Sequence, residues 1–284
     1  MIIMLQAILT SSVLLFALST YPQMNPAVRY KDEIFPSSIV HKNWSYGPGK
    51  THRFDWYEAE DDSIAARPLI IWLHGGGFKF GSKNMHSIRL WSDYFARRGY
   101  VCAAIDYQLG KKDLRFKYDE LVRNCEHAVG DCRAAIAWFK HNAARLRIDT
   151  GRIILAGNSA GGMIALQTAY GAEPGGVAAV VNFWGGIFDL GWLGRAKVPI
   201  VSVHGRNDNI VPYDHKSYPL YGSGAIHPIA DSLQIPNRLK TYDGYAHELQ
   251  KHFNPLIVSR LTKKRWLEAA QFAADFLFDE LFNR

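Results

Sequence analysis

From residue 69 onward, short apolar runs alternate with longer segments of helical periodicity, and this alternation restricts the chain to one class of fold. The runs are apolar throughout, as expected for strands that helices cover on both faces. Strands separated by such helices form βαβ units and a mostly parallel sheet. The predicted strands are 69–73, 101–105, 152–155, 178–183, 200–203 and 239–242, and the predicted helices are 87–98, 121–144, 160–170 and 263–282.

Size and composition predict a single α/β domain over residues 20–284. The chain has 284 residues, of which 48% are hydrophobic and 21% are charged, as in ordinary globular proteins. Such a chain buries a core large enough to fold without a disulfide or a metal. The net charge is +7, but the Lys and Arg residues are scattered, which favours a solvated basic surface over a nucleic-acid-binding one. Nothing in the sequence indicates the oligomeric state.

Residues 1–19 are predicted to be a signal peptide or an N-terminal anchor. Residues 1–20 carry no charge and form an apolar run, and Ala17, Leu18 and Ser19 give the small-residue pattern of a cleavage site. A run of about 20 apolar residues is also long enough to span a bilayer. We expect an exported protein, periplasmic or secreted, with no further membrane association.

The three cysteines are predicted to be free and buried. Cys125 and Cys132 fall in one predicted helix, where residues seven apart are separated by a rise of about 10 Å. That separation exceeds the Cα distance a disulfide allows. The cysteines therefore fit either an oxidising or a reducing compartment.

The segment Gly157-Asn158-Ser159-Ala160-Gly161 directly follows a predicted strand and directly precedes a predicted helix. This is the G-x-S-x-G pattern, in which small residues permit a sharp turn that exposes the serine hydroxyl. The helix N-terminus also favours negative charge at that position. Ser159 is therefore the candidate nucleophile.

A second motif, His74-Gly75-Gly76-Gly77-Phe78, follows the strand at 69–73. Consecutive glycines leave backbone N–H groups unshielded. Acyl transfer requires such donors to stabilise the oxygen that becomes negative in the transition state. The predicted oxyanion hole consists of the N–H groups of Gly76, Gly77 and Ala160.

A serine nucleophile requires a base, and the base requires an orienting acid. Asp208 follows the strand at 200–203, and His247 follows the strand at 239–242. The chain order Ser159, Asp208, His247 is that of α/β-hydrolases. His204 is expected to hydrogen-bond the loop around the acid.

Other carboxylates fit the role of the acid less well than Asp208. Asp243 is too near His247 in sequence and is more naturally a turn residue, and Asp189 and Asp231 have no strand ending beside them. The sequence also contains no Cys/His cluster at metal-ligand spacing and no complete phosphate loop. We therefore expect neither a metal nor a cofactor.

Together these motifs resemble the α/β-hydrolase superfamily, in the esterase/lipase branch with an HGGG oxyanion motif. That branch includes hormone-sensitive-lipase-like esterases and bacterial feruloyl or acetyl-xylan esterases. The resemblance covers roughly residues 50–282 and rests on segments 74–78, 106–107, 157–162, 204–212 and 244–247. Asn158 departs from the pattern, since these esterases often carry an acidic residue there. The resemblance implies an α/β-hydrolase catalytic domain with a small cap or none, which cleaves a carboxylic ester through an acyl-enzyme.

The substrate is expected to be a small or plant-derived ester, bound in a pocket with aromatic walls. Aromatic residues that follow strand ends or the glycine motif are candidates for this pocket, and segment 183–195 is a candidate cap or pocket wall. The pocket candidates are Phe78, Phe80, Trp184, Phe188 and Trp192. The alternatives are an amidase or exopeptidase that uses the same residues, or a non-catalytic binding protein.

Overall fold

Eight strands form one mixed sheet at the centre of the molecule, in the order β1-β2-β4-β3-β5-β6-β7-β8. A computed structural model describes residues 28–113, 115, 117–215 and 218–283. The β1–β2 and β2–β4 pairs are antiparallel, and the other neighbouring strands are parallel. The strands are β1 (Ser38–Ser45), β2 (Arg53–Ala59), β3 (Arg67–Leu73), β4 (Val101–Ile105), β5 (Ile148–Asn158), β6 (Ala179–Phe183), β7 (Ile200–Gly205) and β8 (Asn237–Tyr242).

Helices cover both faces of this sheet. The helices are α1 (His86–Ala96), α2 (Tyr118–His141), α3 (Ala143–Leu146), α4 (Ala160–Tyr170), α5 (Ser223–Ser232) and α6 (Arg260–Leu281). Helices α2, α4 and α5 pack on one face, and α1 and α6 pack on the other. Along β3, Leu69 and Ile71 face the first layer while Ile70 faces the second, and all three are fully buried. Burial on both faces explains the continuous apolar runs and confirms the predicted fold class.

The strands β1 and β2 and the helix α5 have no counterpart among the sequence predictions. β1 is one of the two edge strands of the sheet, and its residues are all partly or fully exposed. It therefore carries polar residues such as His41 and Lys42 and lacks an apolar run. The helix α5 contains Pro228, a residue that usually argues against a helix interior.

The segment from Phe183 to Arg195 forms a short connection at the carboxyl end of β6. It ends in a 3₁₀ helix, Leu190–Arg195, whose first turn is capped by the Asp189 side chain. Ile187 pairs with Tyr221 through its backbone, and the 3₁₀ helix packs against α4 and α5. The segment therefore forms part of the main domain.

The cysteines are free and buried, as the sequence predicts. Cys125 and Cys132 both lie in α2. The predicted signal peptide or anchor at residues 1–19 lies outside the described residues. Among the residues that the structure does describe, no helix combines the length and the apolar character that a membrane crossing requires.

Candidate active site

Ser159 occupies a strained turn between β5 and α4. Its backbone has φ 54° and ψ −121°, a combination that non-glycine residues rarely adopt. The chain can turn this sharply only because small residues flank the serine. A Cβ at Gly161 would lie 1.9 Å from the carbonyl oxygen of Leu73, and a Cβ at Gly157 would lie 2.4 Å from the Gly161 carbonyl carbon. The G-x-S-x-G spacing is thus a steric requirement of this turn.

This crowding predicts a large effect of one methyl group. We expect Gly161→Ala to destabilise the protein by about 3 kcal/mol or more, because the added methyl overlaps β3 backbone. Gly130→Ala is the matched control, since a Cβ at this position of α2 meets nothing within 4 Å. It should stabilise the protein by about 0.5–1 kcal/mol. Urea unfolding of both variants measures the two effects, and equal stabilities would contradict this explanation of the turn.

Ser159, His247 and Asp208 form a continuous hydrogen-bonded chain. The Ser159 Oγ lies 2.9 Å from His247 Nε2, and His247 Nδ1 lies 2.7 Å from Asp208 Oδ2. The three residues follow β5, β8 and β7, whose carboxyl ends meet at one edge of the sheet. The structure therefore brings together the three side chains that the sequence singled out, and all three residues are buried.

Asp208 is held as an ionised carboxylate by several donors. Its Oδ1 accepts hydrogen bonds from the backbone N–H groups of Ile210 and Val211, at 2.9 and 3.0 Å. Burial acts to raise the pKa of this carboxyl, but hydrogen bonds and charge from His204 and His247 outweigh it and hold the pKa well below its usual range. Asp208 is therefore negative at neutral pH and can stabilise a protonated His247.

His204 supports this acid loop, as the sequence predicts. Its Nε2 lies 3.1 Å from the Val211 carbonyl oxygen and 3.4 Å from Asp208 Oδ2. Its Nδ1 lies 2.9 Å from the hydroxyl of Ser223. The buried imidazole thus joins the start of α5 to the loop that carries Asp208.

The rival carboxylates have other partners. The exposed Asp243 pairs with Arg206 Nε at 2.6 Å, Asp189 accepts a hydrogen bond from the Gly191 N–H, and Asp231 accepts one from Asn237. These contacts give the three carboxylates structural roles in a turn, a helix cap and a surface ion pair.

The glycine motif is fixed against the serine turn by Asn158. The side-chain oxygen of Asn158 accepts a hydrogen bond of 3.1 Å from the Gly75 N–H. The hydroxyl of Tyr107 donates to the His74 carbonyl oxygen at 2.7 Å, and the Tyr107 and His74 rings stack with their centroids 4.2 Å apart. Burial lowers the pKa of the His74 imidazole to about 4, so this ring is uncharged at neutral pH. Gly76 and Gly77 then adopt φ values of 114° and 61°, which glycine accommodates without strain.

A buried ion pair fastens the far end of the same loop. Lys83 Nζ lies 3.0 Å from Asp55 Oδ1, and the two residues are 3% and 1% exposed. The Lys83 N–H also donates to Asp106 Oδ1 at 2.7 Å. The loop that carries Gly76 and Gly77 is therefore anchored to β2 and to the end of β4. The sequence shows no signal for this pair, because Lys83 and Asp55 meet only through the tertiary fold.

Two cavities meet at Ser159. The smaller, of about 300 Å³, is lined mainly by apolar side chains, including Leu121 and Met163. The larger, of about 620 Å³, is also lined by His247. Gly77, Ser159 and Ile210 border both cavities. Ser159 can thus be approached from two sides, and a molecule bound there would have a cavity on each side of the serine.

Known proteins resemble this chain in sequence and in fold. A family model described as BD-FAE matches residues 54–187, and one described as Phospholipase/Carboxylesterase matches residues 123–257. The second range contains Ser159, Asp208 and His247. A solved thermophilic esterase of Thermogutta terrifontis, Est2, superposes with a TM-score of 0.62 at 24% identity, covering 90% of this chain and 96% of that one. The chain has the α/β-hydrolase fold.

The curated proteins that resemble this chain include esterases and lipases. Secreted lipase 5 of Gibberella zeae is 34% identical over 108 residues, which are 36% of this chain and 20% of the relative. Esterase LipI of Mycobacterium tuberculosis is 29% identical over 121 residues, which are 41% of this chain and 33% of the relative. The matched part of the chain thus spans a third or less of the length of these relatives.

The structure separates the aromatic residues that the sequence proposed for the pocket into two groups. Phe78 lines the smaller cavity at Ser159, and Phe80 lines the larger one. The prediction that Trp184 lines the substrate pocket is wrong, because this side chain is fully buried between Trp91 and Phe183 and has no surface for a substrate.

The prediction that Phe188 and Trp192 line the substrate pocket at Ser159 is also wrong. They line a separate cavity of about 390 Å³ between α2 and α4, and Ser159 does not border it. Segment 183–195 is therefore a wall of that separate cavity. The larger cavity at Ser159 obtains aromatic surface instead from Phe253 and Trp266, whose sequence positions carried no motif.

Glu248 is a further site residue that the motifs did not reveal. It lines the larger cavity directly after His247. Burial raises the pKa of its carboxyl above the ordinary value, and the negative charge of Asp208 adds to this, while His247 acts in the opposite direction. The cavity wall therefore carries a carboxyl group that resists ionisation.

This shift predicts a pH-dependent effect on stability. A raised pKa means that the folded state binds the proton more tightly than the unfolded chain, so stability falls as pH rises through the raised pKa. Glu248→Gln removes this loss and should gain stability over the parent as pH rises above about 4. Urea unfolding at acidic and neutral pH measures the gain, with Glu126→Gln on the exposed face of α2 as the control. A gain independent of pH would contradict the assignment.

Within the described ranges, no group of three His, Cys, Asp or Glu side chains is arranged to hold a metal ion.

Proposed function

We propose that this α/β-hydrolase cleaves carboxylic esters through an acyl-enzyme on Ser159. The observation that carries the proposal is the chain of hydrogen bonds from Ser159 through His247 to Asp208, with Ser159 bordering two cavities. Ser159 Oγ forms a bond to the carbonyl carbon while its proton passes to His247 Nε2. The bond from that carbon to the alcohol oxygen then breaks, and the alcohol leaves with the proton from His247. Water repeats these steps to release the acid.

Asp208 and the glycine motif complete the proposed mechanism. Asp208 holds the imidazole with Nε2 facing the serine and stabilises the imidazolium. The N–H groups of Gly76, Gly77 and Ala160 are the proposed oxyanion hole, and each donor of this kind contributes about 3–4 kcal/mol to transition-state stabilisation. The hydrogen bond from Gly75 to Asn158 supports this role, since it fixes the glycine loop to the turn that carries the nucleophile.

The sizes and linings of the two cavities favour small esters as substrates. Within that class, we propose plant-derived aryl esters as the more specific substrate. Leu121, Met163 and Leu220 give the smaller cavity an apolar lining suited to a short acyl chain. The larger, partly aromatic cavity would hold the alcohol or an aryl group. The Thermogutta esterase, whose fold this chain shares, is known in propionate-bound and butyrate-bound forms, which supports a short acyl group here.

The test is kcat/KM over p-nitrophenyl esters from acetyl to dodecanoyl, together with methyl ferulate and aminoacyl anilides. Ser159→Ala is the blank. The proposal expects hydrolysis of the esters, with the highest kcat/KM for short acyl chains. Hydrolysis of the anilides alone would replace it with an amidase or exopeptidase, and no hydrolysis together with no labelling by a fluorophosphonate would indicate a binding protein.

We also propose that the protein is exported, because residues 1–19 carry an uncharged apolar run with a small-residue cleavage pattern. N-terminal sequencing of the protein from the medium, periplasm and membrane fractions of the expressing cells tests this. A mature chain that begins near residue 20 is the expected result, and an intact N-terminus in the membrane fraction would indicate an anchor instead.

A further inference from the structure

An exposed apolar segment lies beside the larger cavity. Leu256 is 91% exposed, and Ile257 and Leu261 are each 66% exposed. They lie in the stretch that connects His247 to α6 and in the first turn of that helix. Adjacent large apolar side chains at this exposure mark a surface that interacts with something other than water.

These residues continue an apolar border around the entrance of the larger cavity. Leu256 lines that cavity together with Phe80 and Ile210, which are 42% and 48% exposed. We call Phe80, Ile210, Leu256, Ile257 and Leu261 the apolar rim. A molecule that contacts the rim therefore has direct access to the cavity that contains Ser159.

Basic side chains accompany the rim. Between Glu248 and Glu268 the sequence has no acidic residue and contains Lys251, Arg260, Lys263, Lys264 and Arg265. In the described part of the chain, none of these cations lies within 4.0 Å of a carboxylate. Lys251, Arg260 and Lys264, which we call the basic set, are exposed.

The two features come together in a neighbouring shallow cavity of about 460 Å³. Ile257 and Leu261 line it together with Lys251, His252 and Arg265. The Arg265 guanidinium donates to the Leu249 carbonyl oxygen and lies over the ring of Tyr245, so it is held in place as part of the wall. Apolar and basic groups therefore share one concave surface next to the entrance of the larger cavity.

We propose that the apolar rim and the basic set dock on an anionic lipid bilayer and present the larger cavity to ester substrates held at that surface. Apolar side chains insert at the boundary between headgroups and acyl chains, while Lys and Arg meet anionic headgroups. The unpaired positive charge matches this occupant, and it would repel a second copy of the same surface. This docking departs from the sequence-based expectation of no membrane association beyond the N-terminal segment. Docking does not depend on the proposed esterase activity, whereas the delivery of lipid esters rests on it.

The experiment measures vesicle binding by the full chain carrying Ser159→Ala, which prevents hydrolysis of the lipids. Vesicles of phosphatidylcholine are compared with vesicles that also contain about one-third phosphatidylserine. We expect much stronger binding to the anionic vesicles, weakened by added salt. Replacing the basic set with Gln should lower the partition constant roughly fivefold for each charge, about a hundredfold in all.

The matched control removes the same charge elsewhere. Lys42, Lys50 and Arg123 are exposed on β1, on the loop after it and on α2, and their replacement with Gln should leave binding close to the parent value. All variants keep the same N-terminal run, so its own membrane affinity cancels from the comparison. Melting curves show whether each variant is folded. Equal losses for the two triple variants, or equal binding to neutral and anionic vesicles, would overturn the proposal.

A self-association test addresses the competing occupant of the rim. A concentration-dependent dimer in sedimentation, abolished by Leu256→Ser with Ile257→Ser, would replace the bilayer with a second copy of the chain. Lipid delivery is tested separately in the Ser159 protein, by hydrolysis of a lipid ester in anionic vesicles relative to a soluble p-nitrophenyl ester. Vesicle binding with no hydrolysis of either ester would reject the proposed function and leave docking intact.

Discussion

Ser159→Ala is expected to lower kcat for a p-nitrophenyl ester by about a millionfold, because the variant has no oxygen to attack the ester and the acyl-enzyme cannot form. The backbone at Ser159 already holds a side chain at positive φ, so Ala introduces no larger group and the turn should persist. Unfolding by urea should therefore give a free energy close to that of the parent. Initial rates with purified variant and parent, measured with the same short-chain ester, give the ratio directly.

The control for this prediction is the double variant with His247→Ala. Residues that act as one unit lose activity non-additively, so the double variant should be about as inactive as Ser159→Ala alone. A Ser159→Ala protein that retains a tenth of the parent activity would show that another group attacks the ester. A variant that fails to fold would be identified by its melting curve and would be replaced by Ser159→Gly, for which the same loss is expected.

Asp208→Asn is expected to lower kcat by about ten-thousandfold. The carboxylate accepts a hydrogen bond from His247 Nδ1, which leaves Nε2 unprotonated and able to take the proton of Ser159. An amide at this position can donate its own N–H toward Nδ1 and so stabilise the wrong imidazole tautomer. It also removes the negative charge that stabilises the imidazolium. Steady-state kinetics at neutral pH measure the loss.

Asp243→Asn is the matched control for the acid. Asp243 lies four residues before His247 in sequence, but its carboxylate is exposed and pairs with Arg206. An exposed ion pair contributes little, so this variant should keep an activity within about twofold of the parent. The opposite pattern, with Asp208→Asn nearly neutral and Asp243→Asn inactive, would assign the acid to Asp243 and contradict the geometry.

Much of the fold could be predicted because its pattern is local. The strand at 69–73 is apolar throughout, since Leu69 and Ile70 are buried on opposite faces of the sheet. The turn at Ser159 could be predicted because its G-x-S-x-G pattern is a short stretch of sequence, although the crowding that requires Gly161 comes from Leu73 in β3. The strand β1 was not predicted, because it lies at an edge of the sheet and its exposed residues do not form an apolar run.

The pocket could not be predicted because its walls come from distant parts of the chain. Trp184 is aromatic and follows a strand end, as a pocket residue would, yet packing against Trp91 removes it from solvent. Leu256 and Trp266 line the larger cavity although their sequence neighbourhood contains no motif. The anchoring of the glycine loop by Lys83 and Asp55 is also purely tertiary. Such contacts depend on helix and strand placement, which sequence periodicity does not specify.

The central claim is that Ser159 is a nucleophile activated by His247, and labelling with a fluorophosphonate tests it most directly. The intact mass of the parent should increase by one adduct, and peptide mapping should place the adduct on the segment 157–162 that contains Ser159. Ser159→Ala should remain unlabelled, and His247→Ala should be labelled far more slowly at neutral pH. Stoichiometric labelling of Ser159→Ala, or no labelling of a folded parent, would contradict the proposed mechanism.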